Sequence, residues 1–310
     1  MVGAALWLWV LLDPTPARAA TQTSTFAHND PGVRAIALGG AYSALGGEPI
    51  ALYWNPATLF YQSGRSIEAS YADLYGLGLA RRTFLTLGSK SVIEELRSDG
   101  DRIVVTKDRE TGPAYALGIQ SLFLDLDENG YSELSLGGGA SWGYGERVAV
   151  GLALHALFIT SDLDDVSAWG YDLGLGVSIE HAANARVAIA VPHLLSRIFW
   201  KFDSTERLPL GLVLGWTRNI TPRLLFAADV EWREEGNGLY RLAAGGEWWL
   251  VRERLALRAG FRHVSAGLED SNNPSFGAGF HISRLRFDYA YRMEKEVLGD
   301  THRLGILVGF

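Results

Sequence analysis

The chain has 310 residues and no cysteine. Disulfide frameworks and thiolate metal sites are therefore excluded. Basic residues are outnumbered, 28 Lys and Arg against 35 Asp and Glu, for a net charge of −7. Phosphate binding needs clustered cations, so no nucleic-acid partner is expected. Past the first residues there is no uncharged apolar run of roughly 18 residues, the length a membrane helix needs. The seven histidines, His28, His155, His181, His193, His263, His281 and His302, are scattered without HExxH spacing. Asp125-x-Asp127 and Asp164-Asp165 could hold calcium only loosely, because a full set of EF-hand ligands is missing. A serine beside inward His155 or His281 is the enzymatic alternative, but no orienting partner is evident. The expectation is a non-enzyme with no metal and no cofactor. Gly137-Gly138-Gly139 lies inside a strand pattern and opens no helix, so it is not a phosphate loop.

What the chain has in abundance is Gly (36), Trp (10) and period-two alternation. Its final segment, Thr301 to Phe310, places Leu304, Ile306, Val308 and Phe310 on one face and Arg303, Gly305, Leu307 and Gly309 on the other. The same alternation recurs from Tyr115 onward through strands of about ten residues, the length a tilted membrane strand needs. Ser66 to Tyr71 and Leu79 to Gly88 are the expected first strands. In Lys90 to Thr111 a short helix is expected at Ser91 to Arg97 and an extra strand at Arg102 to Thr106. Connections alternate short and long. Asp125 to Tyr131, Ser161 to Ala168, Pro192 to Arg207 and Ser265 to Pro274 read as long loops; Arg218 to Pro222 and Ser283-Arg284 read as tight turns. Short periplasmic turns and longer outer loops are the habit of outer-membrane barrels.

Aromatics sort to the strand ends. Trp142, Tyr144, Trp216 and Trp248 fall near one end; Trp169, Tyr171, Trp232, Tyr240, Tyr289 and Tyr291 fall near the other. Two girdles around an apolar band suit a barrel in a bilayer; a soluble β-sandwich is the alternative. The expected class is all-β, a transmembrane antiparallel β-barrel of about 14 strands, with 12 as the alternative count. Its inward faces carry Asp229, Glu231, Arg241, Glu247, Arg258, Arg262, Arg286, Asp288 and Arg292. Two roles are open to them: pairing across strands and holding a plug, or building a polar path.

The N-terminus differs. Val2 to Leu12 is apolar, and Ala17-Arg18-Ala19-Ala20 offers a small-x-small cleavage site. Residues 1–20 thus read as a secretory signal peptide, although no Lys or Arg precedes the apolar run. Residues 21–62 then form a compact unit before a barrel over 63–310. A helix from Ala51 to Trp54 is expected to stop at Asn55, because Pro56 disfavours helix before it.

The run DPGVRAIALGGAYSALGGEPIALYWNPATL, Asp30 to Leu59, resembles the N-terminal signature of the PorV/PorQ family, relatives of the FadL-type transporters. The matching positions include Arg34, Gly39, Gly40, Tyr42, Tyr53, Trp54, Asn55 and Pro56. Departures are Leu38, Gly46-Gly47-Glu48 and Thr58. The resemblance implies a plug within the barrel lumen and an outer-membrane location. It also implies one of two functions: passive uptake of a hydrophobic or amphipathic small molecule, or binding of secretion-system proteins as in type IX secretion. Tyr53 and Trp54 would either line a ligand pocket or anchor the plug by packing. Outer-membrane lipid and the barrel-assembly machinery are the further partners expected, the latter through a terminal strand whose last residue, Phe310, is aromatic.

Overall fold

The computed structural model describes residues 26, 30–74, 78–91, 95–99, 102–106, 112–126, 129–145, 147–162, 166–234, 238–251, 253–266, 269–294 and 299–310. The expected signal peptide and the acidic residues Asp127, Asp164 and Asp165 lie outside them.

Two short helices, α1 (Val33–Ala37) and α2 (Ala51–Trp54), and a 3-10 turn (Pro56–Tyr61) precede the strands. The early strands are β1 (Arg65–Leu74), β2 (Ala80–Lys90), β3 (Glu95–Asp99), β4 (Arg102–Thr106) and β5 (Ala114–Leu126). The middle ones are β6 (Asn129–Tyr144), β7 (Val148–Ser161), β8 (Ser167–Ala182), β9 (Ala185–Trp200), β10 (Thr205–Glu206) and β11 (Gly211–Thr221). The last six are β12 (Leu224–Arg233), β13 (Leu239–Val251), β14 (Leu255–Ala266), β15 (Glu269–Ile282), β16 (Leu285–Arg292) and β17 (Thr301–Gly309).

Fifteen strands share one sheet. The two-residue β10 only caps β9, so fourteen remain, each antiparallel to its neighbours. Ser66 faces Gly309 and Asp73 faces His302, which closes β1 on β17. Closure leaves no strand edge to be satisfied in lipid.

Burial is inverted relative to a water-soluble protein. Leu117, Leu154, Leu214, Phe226 and Leu242 are exposed on the outside, while Glu68, Arg82, Glu133, Asp229, Glu247 and Arg258 are buried inside. Apolar side chains facing out over this many strands mark a hydrocarbon solvent around the barrel. Trp142, Tyr144, Trp248, Trp169 and Tyr240 are exposed near the strand ends, as the girdles require.

Four expectations are corrected. β3 and β4 pair antiparallel with each other in a separate two-stranded sheet, Glu95 facing Thr106, so Glu95 to Arg97 is strand and not helix. Three of the long loops are mostly strand: β5 and β6 pair up to Leu126 and Asn129, β14 and β15 up to Ala266 and Glu269, and in Pro192 to Arg207 β9 runs on to Trp200, facing Ala168, with β10 at Thr205–Glu206. Strands therefore reach 16 residues in β6, β8 and β9. Their outer portions continue as paired ribbon beyond the length needed to cross a bilayer, where turn-forming residues are tolerated.

The apolar core sits inside the barrel. Val33, Ile36, Leu38, Tyr42, Leu45, Ile50, Leu52 and Leu59 pack against Phe84 and the small inward residues Ala116, Ala153, Ala227, Ala243 and Ala290. Small wall residues leave room for the plug. At Gly260 the plug and wall backbones meet: a Cβ there would come within 2.1 Å of the Gly39 nitrogen. Gly39 itself has φ +73°, and a side chain on it would meet the Phe261 backbone at 2.6 Å.

Candidate functional site

The plug is tied to the wall by charge. Arg34, in α1, forks onto Glu247 of β13 and also reaches Glu48. Glu48 meets Arg286 of β16 and accepts a hydrogen bond from the Tyr42 hydroxyl at 2.9 Å. Arg258 joins Glu247 to Asp288 at 2.7 and 2.6 Å, and Arg286 returns to Asp288. The chain Glu48–Arg286–Asp288–Arg258–Glu247–Arg34 is thus a closed ring of alternating sign. Such geometry offsets the desolvation each ion suffers on burial.

A second cluster centres on Asp30. Its carboxylate meets Arg262 at 2.7 Å, Arg292 at 2.6 Å and Arg241 at 3.6 Å, and its backbone carbonyl accepts from Arg303. Glu231 pairs with both Arg233 and Arg241. Asp229 serves differently: its Oδ2 accepts from the backbone N–H groups of Tyr42 and Ser43 at 3.0 and 2.9 Å. Asp30 has no place among the nine lumen charges expected from alternation, because it comes from the plug rather than from a strand.

The Tyr-Trp-Asn-Pro element is divided in its contacts. Trp54 donates to the Pro31 carbonyl at 3.0 Å and lies under Arg241, 5.5 Å from ring to guanidinium. Asn55 accepts from Ala57 N–H, capping the 3-10 turn that Pro56 begins, and donates to the Ser43 carbonyl. Gly40, at φ +87°, lies beside Trp54. Tyr53 turns the other way, towards the wall, and stacks on His155 of β7 with ring centroids 5.1 Å apart.

Between this element and the wall is a cavity of about 70 Å³. One water needs about 10–15 Å³ on that measure, so the space takes a handful of waters. Phe26, Leu52, Ala153, Leu157 and Leu208 give it an apolar lining, and Trp54, Arg233 and Arg241 lie along one side. The opposite side carries His155, Asp172 and His193. Asp172 of β8 stands directly across from His155 in the strand register. Its Oδ2 is 3.6 Å from His155 Nδ1 and its Oδ1 is 3.0 Å from His193 Nδ1.

His193 reaches the lumen through an irregularity of β9. From Val187 onward, Ala188, Ala190, Ser196 and Ile198 are its buried positions, all even-numbered. His193 is odd and would face lipid. Between the pairs Leu173–Leu195 and Leu175–Val191, β8 supplies only Gly174 while β9 supplies Pro192, His193 and Leu194. His193 adopts φ 57° there. A bulge re-aims a side chain, and this one brings the imidazole round to Asp172. Alternation alone could not reveal it.

No protein-family model matches the chain, and no curated protein sequence matches it. Solved structures do. The CymD monoaromatic hydrocarbon channel is 15% identical, with a TM-score of 0.64 over 90% of this chain and 97% of that one. A Pseudomonas aeruginosa FadL homologue is 12% identical, with a TM-score of 0.66 over 90% and 98%. The Ralstonia pickettii toluene transporter TbuX is 12% identical, with a TM-score of 0.61 over 90% and 97%. The chain shares the fold of these proteins.

Proposed function

We propose that this protein is a bacterial outer-membrane channel for passive uptake of a hydrophobic or amphipathic small molecule. The observation that carries the reading is the largely apolar cavity between the plug and the wall, inside a barrel whose outer face is built for lipid. The similar solved structures are channels for monoaromatic hydrocarbons and toluene, which agrees with it. The reading places Phe310 and the short turns in the periplasm and the C-terminal strand in the hands of the barrel-assembly machinery. It involves no catalysis and no cofactor.

The PorV/PorQ-like run Asp30 to Leu59 favours a second role, docking of a secretion-system protein. The surface for it would be the aromatic ledge where Trp169 stacks on Phe199 and Trp200 on Phe202. The test is uptake of radiolabelled toluene by a Gram-negative host stripped of its own hydrophobic-compound channels. Expression of this chain should raise the initial rate several-fold. A rate equal to the empty host would remove the uptake reading and leave the docking role.

A further inference from the structure

The cavity lining is mostly apolar, with the Glu231, Arg233 and Arg241 group in one part of it and His155, Asp172 and His193 in another. There Asp172 is held between His155 and His193, and the three side chains are at most 11% exposed. Among the described residues, both ring nitrogens of His155, Nδ1 of His193, Oδ1 of Asp172 and the Tyr53 hydroxyl have no hydrogen-bond partner, close as the imidazoles lie to the carboxylate. His155 is only 7% exposed and lines the cavity. A buried polar atom without a partner is costly. The backbone at His193 adds a second cost, because a non-glycine residue with positive φ is disfavoured. Strain of that kind persists where the surroundings enforce it, and it clusters at ligand sites. A purely hydrocarbon ligand would use none of these groups.

Resting on the uptake reading, we infer that the His155–Asp172–His193 corner is a hydrogen-bonding subsite, and that the ligand is a small apolar ring bearing a neutral hydroxyl group. The chemistry of the corner selects the head group. A hydroxyl both donates and accepts; a carboxylate oxygen accepts, and a neutral imidazole offers one donor and one acceptor. A phenolic hydroxyl can therefore donate to Asp172 or to an imidazole nitrogen and accept from an imidazole N–H. A carboxylate ligand would be repelled by Asp172. An ammonium ligand would meet Arg233 and Arg241 on the same lining, where Glu231 already pairs with both. The apolar body of the ligand fills the space beside Leu52, Ala153 and Leu157.

The test uses p-cresol and p-xylene, which differ by one hydroxyl for one methyl, with 4-methylbenzoate as the anionic probe. The purified full chain in detergent micelles is titrated with each, following tryptophan fluorescence. His155→Phe keeps a ring against Tyr53 and removes the polar atoms; Asp172→Asn is the second variant, used also if the first fails to give a heat-modifiable barrel. Micelle partitioning is common to wild type and variants, so their difference reports the site. The expected result is a loss of p-cresol affinity of tenfold or more in either folded variant, with p-xylene affinity within twofold. A site built around a hydroxyl rejects the analogue that lacks it, because its polar atoms stay unpaired. Equal changes for both probes, or tightest binding of 4-methylbenzoate, would overturn the subsite while cellular uptake of p-xylene keeps the channel reading. Absence of both binding and uptake would remove both.

Discussion

Arg34 forks onto Glu247: its Nε and Nη2 donate to the two oxygens of one carboxylate, each at 2.8 Å, and its Nη1 reaches Glu48 at the same distance. The donor lies in the plug and one acceptor in the wall, 213 residues apart. Bidentate pairing of this kind fixes orientation as well as distance. The contact therefore sets the angle at which the plug sits in the barrel.

Replacing Arg34 with Ala leaves Glu247 to Arg258 and Glu48 to Arg286. The ring then holds Glu48, Asp288 and Glu247 against Arg286 and Arg258 alone, and an uncompensated buried charge costs roughly 3–5 kcal/mol. The barrel wall has its own hydrogen-bonded closure and should persist. The expected outcome for Arg34→Ala is a plug that leaves its seat part of the time. Planar-bilayer recordings should show ion conductance well above wild type with frequent closures. Wild-type conductance would mean that the fork does not hold the plug.

Gly39 tests the same docking by shape instead of charge. Gly39→Ala introduces a Cβ 2.6 Å from the Phe261 carbonyl oxygen on a backbone with φ +73°. The left-handed backbone alone costs about 1–2 kcal/mol for a residue with a Cβ, and the collision adds to it. Phe261 is wall backbone and cannot yield as a flexible side chain would. Limited trypsin digestion of the folded barrel should then cut after Arg34, a bond shielded in the wild type. Equal protection in variant and wild type would place the docking elsewhere.

Acid should release the plug at a defined place on the pH scale. Burial alone would raise the Asp30 carboxyl, but the guanidinium groups of Arg262, Arg292, Arg241 and Arg303 outweigh it and hold the group well below the ordinary carboxylate range. Burial likewise opposes the charge of Glu48, and Arg286 and Arg34 reverse that, lowering it as well. A depressed pKa in the docked state stabilises docking fully above the ordinary value of about 4, and the contribution fades as pH falls through the docked-state value. Conductance should stay low from neutral pH to about 4 and rise only below it. A rise centred near pH 6 would assign the latch to other groups.

Much of this architecture was open to inspection in the sequence, for a physical reason. A lipid-facing wall forces strict alternation, so Asp229, Glu231, Glu247, Arg258 and Asp288 had to face inward whatever their partners. The partners were hidden, because alternation fixes a face and not a register. His155 and Asp172 each occupy inward positions, yet only the pairing of β7 with β8 sets them opposite each other. His193 was hidden more deeply, on the lipid-facing parity until the bulge at Pro192 turns it. The outer strand ends misled in the opposite sense: Asn272, Asn273 and Pro274 have loop chemistry, yet they pair with His263, Arg262 and Phe261.

The end of the chain separates assembly from stability. Phe310 donates its backbone N–H to the Arg65 carbonyl at 2.9 Å, extending the seam between β17 and β1, while its side chain is 64% exposed. A side chain that exposed contributes little packing within the barrel, and Phe310→Ser keeps the backbone bond. If the aromatic acts as the signal read by the assembly machinery, the substitution should cut the yield of heat-modifiable barrel in membranes several-fold. The fraction that does assemble should unfold at the wild-type temperature on semi-native gels. A normal yield would remove the signal role. A normal yield with a lowered unfolding temperature would make Phe310 a structural clasp on the seam, so the two measurements together assign the residue's function.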